Sequence, residues 1–473
     1  MKSGKKIHWA GAFLMIGFLL CPMDVSAHVK WFSDFSYADS PLEIGEVITP
    51  VFWMMALLSV VVIAALILFE EQLGKYPWIQ RFDQWLASKK DNAMGVMRVG
   101  AGVTLVWAWQ TGNLLAPELK CEHEWIVWLQ FLAALLLAFR KTVPLAGVGI
   151  IVLYLLAIGQ FGFFHMLDYL LFPGVGYYFI AGNAKGAVLR RTALPALYAT
   201  VGFCLIWLGI EKLIYPSWAK LLLDEHPVLA LGLNHDFFVV AAAFIEISLG
   251  FMIMVCLQQR LLAVTISLVF VLTTLVFGRA EVVGHTLIHA VLIVFLIAGA
   301  GRAIPPLHWI PSVKWRVPAA VLAFAVILST FMFPYYFGAR LSNLEANFKV
   351  NKAHQRKLIE IDDLSQAPGL AMAIHKDPVA GWNLELTTEN FKFAPQAAGF
   401  DPVDGEGHAH LYIDGRKVAR LYGLWYHIPR LDPGKHEVVV TLNANNHSGL
   451  SVNGKEVTER AEIEVVPLAA SVR

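Results

Sequence analysis

The chain is dominated by apolar stretches, each about as long as a helix that crosses a lipid bilayer. Of its 473 residues, 57% are hydrophobic and 15% are charged, which is too apolar for a soluble chain of this length. Stretches of about 20 apolar residues cross a bilayer as helices. We predict about ten transmembrane helices, at residues 50–70, 95–113, 124–139, 143–162, 168–182, 194–211, 236–256, 261–278, 284–300 and 317–338.

Residues 1–27 have the pattern of a secretory signal peptide. Three lysines in the first six residues precede an apolar run from Ile7 to Cys21, and Val25-Ser26-Ala27 suits cleavage by signal peptidase. Cleavage would leave His28 as the first residue and would place the new N-terminus outside the cytoplasm.

The loop charges support this orientation, because Lys and Arg favour cytoplasmic loops. The loops on the predicted inner side carry Lys75, Arg81, Lys89, Lys90, Arg98, Arg140, Lys141, Lys185, Arg190, Arg191, Arg260, Arg302, Lys314 and Arg316. The outer loops carry only Lys120, Lys212, Lys220 and Arg279. We predict a protein of the bacterial inner membrane, with its N- and C-termini extracytoplasmic and the lipid bilayer as its first partner.

In this orientation the histidines gather on one side of the membrane. His8 lies in the signal peptide, and His308 is the one other histidine not predicted to face outward. The outward set comprises His28, His123, His165, His226, His235, His285, His289 and the seven from His354 to His447. Imidazole binds metals and transfers protons near neutral pH, so we expect the chemistry of this chain at its outer face.

Charge, cysteines and missing motifs exclude several classes of protein. The net charge is +1, which does not suggest a nucleic-acid partner. Three cysteines remain after cleavage, Cys121, Cys204 and Cys256, and they are too widely spaced for a disulfide framework or a CxxC metal site. The sequence has no nucleotide-binding glycine loop, zinc-protease or esterase motif in a suitable context, and no CxxCH for covalent haem. We therefore expect no nucleotide cofactor.

Two segments look like copies of one four-helix unit. Each copy has Phe-Gly near the outer end of its third helix, at Phe161-Gly162 and Phe277-Gly278, followed by His165 or His285. The second copy also contains Glu211-Lys212-Leu213 followed by Tyr215-Pro216-Ser217-Trp218.

These residues, from Trp207 to Trp218, and the apolar three-helix run after them resemble the DoxX-like family of four-helix membrane proteins. The resemblance covers roughly residues 190–302 and, more faintly, 94–183. It implies a four-helix module with a contact to a quinone, and it carries over no catalytic residues.

Residues after 339 have a different pattern, in which polar and apolar side chains alternate. Asp414-Gly415 and Asn453-Gly454 are favoured hairpin turns. The pattern predicts a small antiparallel β-sandwich. Four stretches, Gly381–Leu384, Asn390–Pro395, Gly405–Ile413 and Leu442–His447, resemble small extracytoplasmic β-domains of bacterial secreted and membrane proteins.

The fold class we predict is an all-α polytopic membrane protein with two four-helix bundle repeats and a C-terminal β-sandwich domain. The predicted segments are the signal peptide 1–27; the N-terminus, first helix and cytoplasmic loop 28–93; repeat one 94–183; repeat two 184–302; a loop and the last span 303–338; a tether 339–356; and the β-domain 357–473.

The helical repeats contain an unusual set of ionisable residues near the outer face. Ionisable groups inside a span are costly and usually functional, and Glu281, His285 and His289 share one helical stripe. The predicted site comprises Glu211, Lys212, Glu246, Glu281, His285, His289, His165 and Asp168. Such a cluster could hold a metal, exchange protons with a quinol or relay protons, or it could be a hydrogen-bonded network that ties helices together.

Two further groups could bind metal. A mature N-terminal His28 would offer its α-amine and ring nitrogen to one metal ion, an arrangement that suits copper(II) or nickel(II), unless cleavage before a histidine is coincidence. In the β-domain, His408 and His410 alternate on one strand and so share a face, and His427, His447 and the thioether of Met372 could join them. The alternatives are that these histidines are surface residues or pair with Asp401, Asp404 or Glu406, and that Met372 is a core residue.

From these patterns we predict that the protein handles a metal ion at the extracytoplasmic face, with copper as the first candidate. One alternative is a quinone-linked redox subunit of the membrane. Another is a non-catalytic scaffold whose β-domain binds an envelope or periplasmic protein. Whether the chain is an enzyme stays open at this point.

Overall fold

The chain forms two compact units, Met1–Leu344 and Glu345–Arg473. This computed structural model describes residues 39–277, 284–299 and 306–465, apart from positions 357, 362, 379, 398–399, 430 and 432. The predicted signal peptide, His28 and Glu281 lie outside the described residues.

The first unit is helical. Its helices are α1 (Ile44–Val47), α2 (Pro50–Leu73), α3 (Pro77–Ala87), α4 (Lys90–Gln110), α5 (Glu124–Ala138), α6 (Val143–Phe161), α7 (Phe163–Met166), α8 (Leu171–Gly182), α9 (Ala187–Ile214), α10 (Pro216–Glu225), α11 (His235–Met254), α12 (Gln259–Phe277), α13 (Thr286–Ala298) and α14 (Val313–Arg356).

Local sequence explains where several of these helices begin and end. The Thr49 hydroxyl accepts the Phe52 N–H at 3.2 Å just before Pro50, which suits the first helical position of α2. The Asn234 side chain caps α11. Gly162, at φ 88°, ends α6 in a conformation that favours glycine.

Five helices of the described chain are long and apolar enough to cross a membrane: Pro50–Glu70, Arg140–Phe161, Ala187–Ile214, His235–Met254 and Val313–Glu345. Four shorter apolar helices are Glu124–Leu137, Leu171–Gly182, Gln259–Thr273 and Thr286–Ala298. The chain is thus a helical protein with membrane-like helices, and the full set of ten spans stays a prediction. The segment predicted as a tether, 339–356, is helical and continues α14.

The helices of the two predicted repeats form a closed ring. In chain order α4, α5, α6, α8, α9, α11, α12 and α13 each pack against the next, and α13 packs against α4. The last helix of each repeat therefore packs against the first helix of the other. We call these two contacts, α8 with α9 and α13 with α4, the seams of the ring. Because both seams join one predicted repeat to the other, the eight helices form one ring instead of two independent bundles.

Small residues allow close packing at both seams. A Cβ added to Gly100 of α4 would overlap Ala290 of α13, and one added to Gly174 of α8 would overlap Thr200 of α9. Close approach through small residues is the usual way in which helices associate in membranes, because lipid tails provide no hydrophobic driving force.

The segment before α2 is bonded to α14. The Asp39 carbonyl accepts the Asn343 side-chain amide at 2.7 Å. The Glu43 carboxylate accepts the Tyr336 hydroxyl at 2.9 Å and pairs with Arg340. The described chain therefore enters the helical unit beside residues 336–343, where α14 leaves it.

The second unit is a β-domain. Its strands are β1 (Leu358–Glu360), β2 (Gly369–Lys376), β3 (Trp382–Glu389), β4 (Lys392–Phe393), β5 (Glu406–Ile413), β6 (Arg416–Leu421), β7 (Trp425–Ile428), β8 (Gly434–Ala444), β9 (Gly449–Val452), β10 (Lys455–Glu456) and β11 (Thr458–Val465).

These strands form two sheets. The larger has the order β1-β9-β8-β5-β4, with β10 paired to β9, β11 to β8 and β6 to β5, and the smaller has the order β2-β3-β7. Side chains from both sheets, including Leu386 and Leu442, form one hydrophobic cluster. Most pairs are antiparallel, as predicted. The exceptions are β1 with β9 and β4 with β5, which are parallel because β1 and β4 reach their partners through connections longer than a hairpin.

Both predicted hairpin turns are present. Asp414 and Gly415 have φ 51° and 74° between β5 and β6, and Asn453 and Gly454 have φ 53° and 72° between β9 and β10. Two successive positive φ angles define the turn that fits the twist of a two-residue hairpin.

Candidate metal centre

The paired strands β5 and β8 have one apolar face and one polar face. Ala409 and Leu411 on β5 and Val440 and Leu442 on β8 belong to the hydrophobic cluster. The alternate residues point the other way, because side chains alternate along a strand. They place His408 opposite Asn443 and His410 opposite Thr441, and all four are buried.

The turn after β8 brings a third histidine to this face. His447 lies at φ 69° between β8 and β9, and its N–H donates to the Ala444 carbonyl at 2.9 Å. Its ring is 4.6 Å from that of His408, centroid to centroid.

The three imidazole rings direct nitrogens at one another. The Nε2 atom of His408 lies 3.0 Å from Nε2 of His410 and 2.9 Å from Nδ1 of His447. Among the described residues, these three form a group of potential metal ligands whose ligand atoms all lie within 4.8 Å of one another.

This spacing suits ligands of a single metal ion. Tetrahedral sites with metal–nitrogen bonds of about 2.0 Å separate their ligand atoms by roughly 3.3 Å. A neutral imidazole has one N–H, so His408 cannot donate to both neighbouring rings through Nε2. Its Nδ1 atom is buried and has no hydrogen-bond partner in the described part of the chain.

Electrostatics keeps His408 neutral. Burial lowers its pKa, and the nearby His447, Lys417 and Arg420 lower it further, to about 4. Near neutral pH this ring therefore offers a lone pair, the form in which histidine binds a metal.

Polar side chains on β8 support the turn that carries His447. The Thr441 hydroxyl donates to Oδ1 of Asn443 at 2.9 Å, and Nδ2 of Asn443 donates to the His447 carbonyl at 3.3 Å. Asn445, in the same turn, is fully buried with its amide oxygen and nitrogen unpaired in the described structure. The sequence holds a signal for these residues, which are absent from the predicted site: polar and apolar side chains alternate along residues 441–445.

Two other predicted ligands lie in the smaller sheet. Nδ1 of the exposed His427, on β7, is bonded to Oδ1 of Asn383 at 2.9 Å. Met372, on β2, packs against the hydrophobic cluster. The structure therefore brings together His408, His410 and His447 from the predicted set and places His427 and Met372 elsewhere.

Carboxylates pair with other partners. Glu406 accepts from Lys392 at 3.2 Å. Among the described residues, His375 contacts Glu385 at 3.1 Å and His436 contacts Asp414 at 2.6 Å. The suggested alternative, in which a carboxylate pairs with a histidine, is therefore observed at these two positions.

The helical ring contains a separate cavity of about 130 Å³. Asp168, just before α8, and His285, just before α13, both line it, so it joins equivalent ends of the two repeats. The remaining lining is mostly apolar or aromatic: Thr104, Trp107, Leu115, Ala116, Pro117, Tyr169, Leu171, Phe172, Val201, Cys204, Leu205, Leu208, Phe270, Gly284, Leu287 and Ile288.

The other predicted ionisable residues contact neighbouring helices. Lys212 of α9 and Glu246 of α11 form an ion pair at 2.7 Å, and the Tyr335 hydroxyl of α14 donates to Glu211 at 3.1 Å. These contacts fit the alternative of a network that ties helices together.

The remaining two histidines of the predicted helical site contact aromatic rings. His165 is buried, with its ring centroid 6.4 Å from that of Phe161 and 5.9 Å from that of Tyr169. His289 meets Phe270 edge-on at 5.8 Å.

Comparison of the chain with protein-family models, curated proteins and solved structures finds no match. Any assignment of function therefore depends on the residues and geometry of this chain.

Proposed function

We propose that this protein is an integral protein of the bacterial inner membrane that binds copper at its extracytoplasmic face through His408, His410 and His447. The observation that supports this most directly is the position of His408 Nε2, about 3 Å from a nitrogen of each of the other two rings. Three buried or half-buried imidazoles arranged in this way are better explained as ligands than as packing.

The donor set favours copper by its chemistry. All three donors are imidazole nitrogens, which suit copper, zinc, iron and nickel, and the affinity of such sites for divalent ions peaks at copper(II). Met372 lies in the other sheet, so the thioether that would favour copper(I) is not part of the group. Three protein ligands also leave a coordination position open.

The test is copper titration of the full-length protein, purified in detergent after removal of metal by a chelator. We expect one copper(II) ion per chain at this centre, with a visible absorption band and an electron paramagnetic resonance spectrum typical of nitrogen ligands. The variant His408→Ala/His410→Ala/His447→Ala should lose this signal. The single variant His447→Ala, which changes a half-buried turn residue, should weaken it and guards against misfolding of the triple variant.

His427→Ala is the matched control, because it removes an exposed histidine of the same domain outside the triad. Its copper spectrum and stoichiometry should equal those of the wild type. Unchanged copper binding by the triple variant would overturn the proposal. Copper titration of His28→Ala measures any second ion that is bound at the mature N-terminus.

The cavity in the helical ring favours a second candidate, a quinone-binding membrane subunit. A carboxylate, Asp168, and an imidazole, His285, face one apolar cavity, and such groups could accept protons from a quinol. We expect His285→Ala to weaken binding of a quinone analogue more than His289→Ala, because His285 lines the cavity and its described lining does not include His289. Equal binding by both variants and the wild type would reject this candidate.

A further inference from the structure

Helix α3 has three large aromatic side chains on one exposed face. Trp78, Phe82 and Trp85 are spaced by four and three residues, so they align along the helix. Their exposed fractions are 67%, 47% and 55%. A row of aromatics this exposed is unusual for a surface that faces water.

Other side chains of α3 attach the helix to the ring. Leu86 is buried, and Asp83 pairs with Arg260 of α12. The Gln80 amide donates to the Gly74 carbonyl at 2.8 Å and fixes the start of the helix. These contacts hold the aromatic face outward.

Basic residues surround the aromatic face. Lys75, Arg81, Lys89 and Lys90 lie between residues 74 and 90, where Asp83 is the one acidic residue in the sequence. Because Asp83 is paired with Arg260 of α12, its negative charge does not offset the positive charge of these four basic residues. The Lys89 ammonium lies 5.7 Å from the centroid of the Trp85 ring, which places charge and aromatic surface together.

The position of α3 in the chain indicates what covers this face. The helix begins shortly after α2. The segment Pro50–Glu70 of α2 is long and apolar enough to span a membrane. A short amphipathic helix with aromatics on one side and flanking lysines is typical of the boundary between lipid tails and head groups. We propose that α3 lies along the membrane surface, inserts Trp78, Phe82 and Trp85 into it, and binds anionic phospholipid head groups through Lys75, Arg81, Lys89 and Lys90.

The first test measures lipid selectivity of the full-length protein. The protein is reconstituted with equal amounts of phosphatidylcholine and phosphatidylglycerol, mildly delipidated, and the retained lipids are quantified by mass spectrometry. We expect an excess of phosphatidylglycerol that falls about fivefold for each charge removed near the surface, as in Lys75→Gln and Lys89→Gln. Lys376→Gln, an exposed lysine of the β-domain, is the control and should retain the wild-type excess. No excess in the wild type, or an excess unchanged in both Lys75→Gln and Lys89→Gln, would refute the proposal.

A second test covers the case in which charge variants fail to fold. A photo-crosslinking amino acid is placed at position 82, and a matched one at position 84 on another side of α3. Lipid adducts at position 82, in excess over position 84, support the proposal. A protein adduct at position 82 in intact cells would instead identify this face as a protein-docking surface and would overturn it.

Discussion

Asn443 connects the strand that faces the histidine pair to the turn that carries the third ring. Its side chain accepts from Thr441 and donates to the His447 carbonyl, and it is fully buried. Residues behind metal ligands fix ligand orientation, and their loss typically weakens metal binding by one to two orders of magnitude.

We therefore predict that Asn443→Ala lowers the copper affinity of the β-domain about tenfold or more while the number of binding sites stays the same. The reason is that His447 would lose the hydrogen bond that holds its turn in place. Competition titration against a chelator of known affinity measures the change. Asn383→Ala, which removes the partner of His427, is the control, and an equal loss in both variants would contradict a specific role for Asn443.

Glu360 gives a prediction about pH. Its carboxylate accepts the Ser451 hydroxyl at 2.6 Å and the Gly454 N–H at 3.0 Å, which lowers its pKa. A carboxylate whose pKa is lower in the folded state stabilises the fold above its unfolded pKa, and this stabilisation is lost as the pH falls through the folded value. Glu360→Gln should therefore lower the unfolding temperature at neutral pH, and the difference from the wild type should shrink in acid.

Thermal unfolding followed at several pH values measures this effect. Glu389→Gln changes an exposed carboxylate at the end of β3 and serves as the control. A difference between Glu360→Gln and the wild type that is independent of pH would contradict the assignment.

The pairing of His408 with His410 could be predicted from the sequence, because alternation on a strand is a local property. The sequence could not show that His447 joins this pair whereas His427 does not. The answer depends on which sheet the strands beside each histidine join. Met372 shows the same limit: the sequence indicates a soft ligand, and the sheet order decides that its side chain packs in the core.

At the level of helices, the seams of the ring depend on side-chain size. Gly100 of α4 faces Ala290 of α13 so closely that a methyl group does not fit, whereas Gly102 on the same helix has open space at its Cβ position. Overpacking of a tight contact typically costs about 1–3 kcal/mol.

We predict that Gly100→Ala destabilises the helical unit by about 1–3 kcal/mol, since α4 and α13 would have to separate. Gly102→Ala should be close to neutral. Ala290→Gly should restore stability when it is combined with Gly100→Ala. Unfolding in detergent, followed by a fluorescence thermal-shift assay, measures all four proteins, and equal effects of the two glycine substitutions would argue against a tight seam.

The elements differ in how far sequence could predict them. The turns at Asp414-Gly415 and Asn453-Gly454 follow from two adjacent residues, and both are present. The repeat stays a prediction from landmarks such as Phe161-Gly162. The closure of α13 on α4 could not be predicted, because it joins helices far apart in sequence through small residues that have no distinctive local pattern.

On the scale of the whole molecule, the chain enters and leaves the helical unit at one end. Residues Asp39 and Glu43 contact Tyr336, Arg340 and Asn343. This arrangement is what an even number of membrane crossings would produce. The side of the membrane that this end faces stays a prediction from the loop charges.

Reporter fusions test this orientation. We predict that alkaline phosphatase fused after Arg473 is active, and that the same enzyme fused after Lys75 is inactive, because phosphatase folds in the extracytoplasmic compartment. Green fluorescent protein at the same positions should give the opposite result. A fluorescent fusion after Arg473 would reverse the predicted orientation and remove the proposed copper centre from the outer face.

The seam between α4 and α13 also affects how the protein is made. A ribosome completes α4 long before α13. The surface around Gly100 therefore lacks its contact with α13 while the intervening helices are synthesised. Helices that remain unpaired for this long are prone to wrong associations. The biosynthesis of this protein should therefore depend on a factor that shields α4, or on fast elongation, until the last helix of the ring arrives.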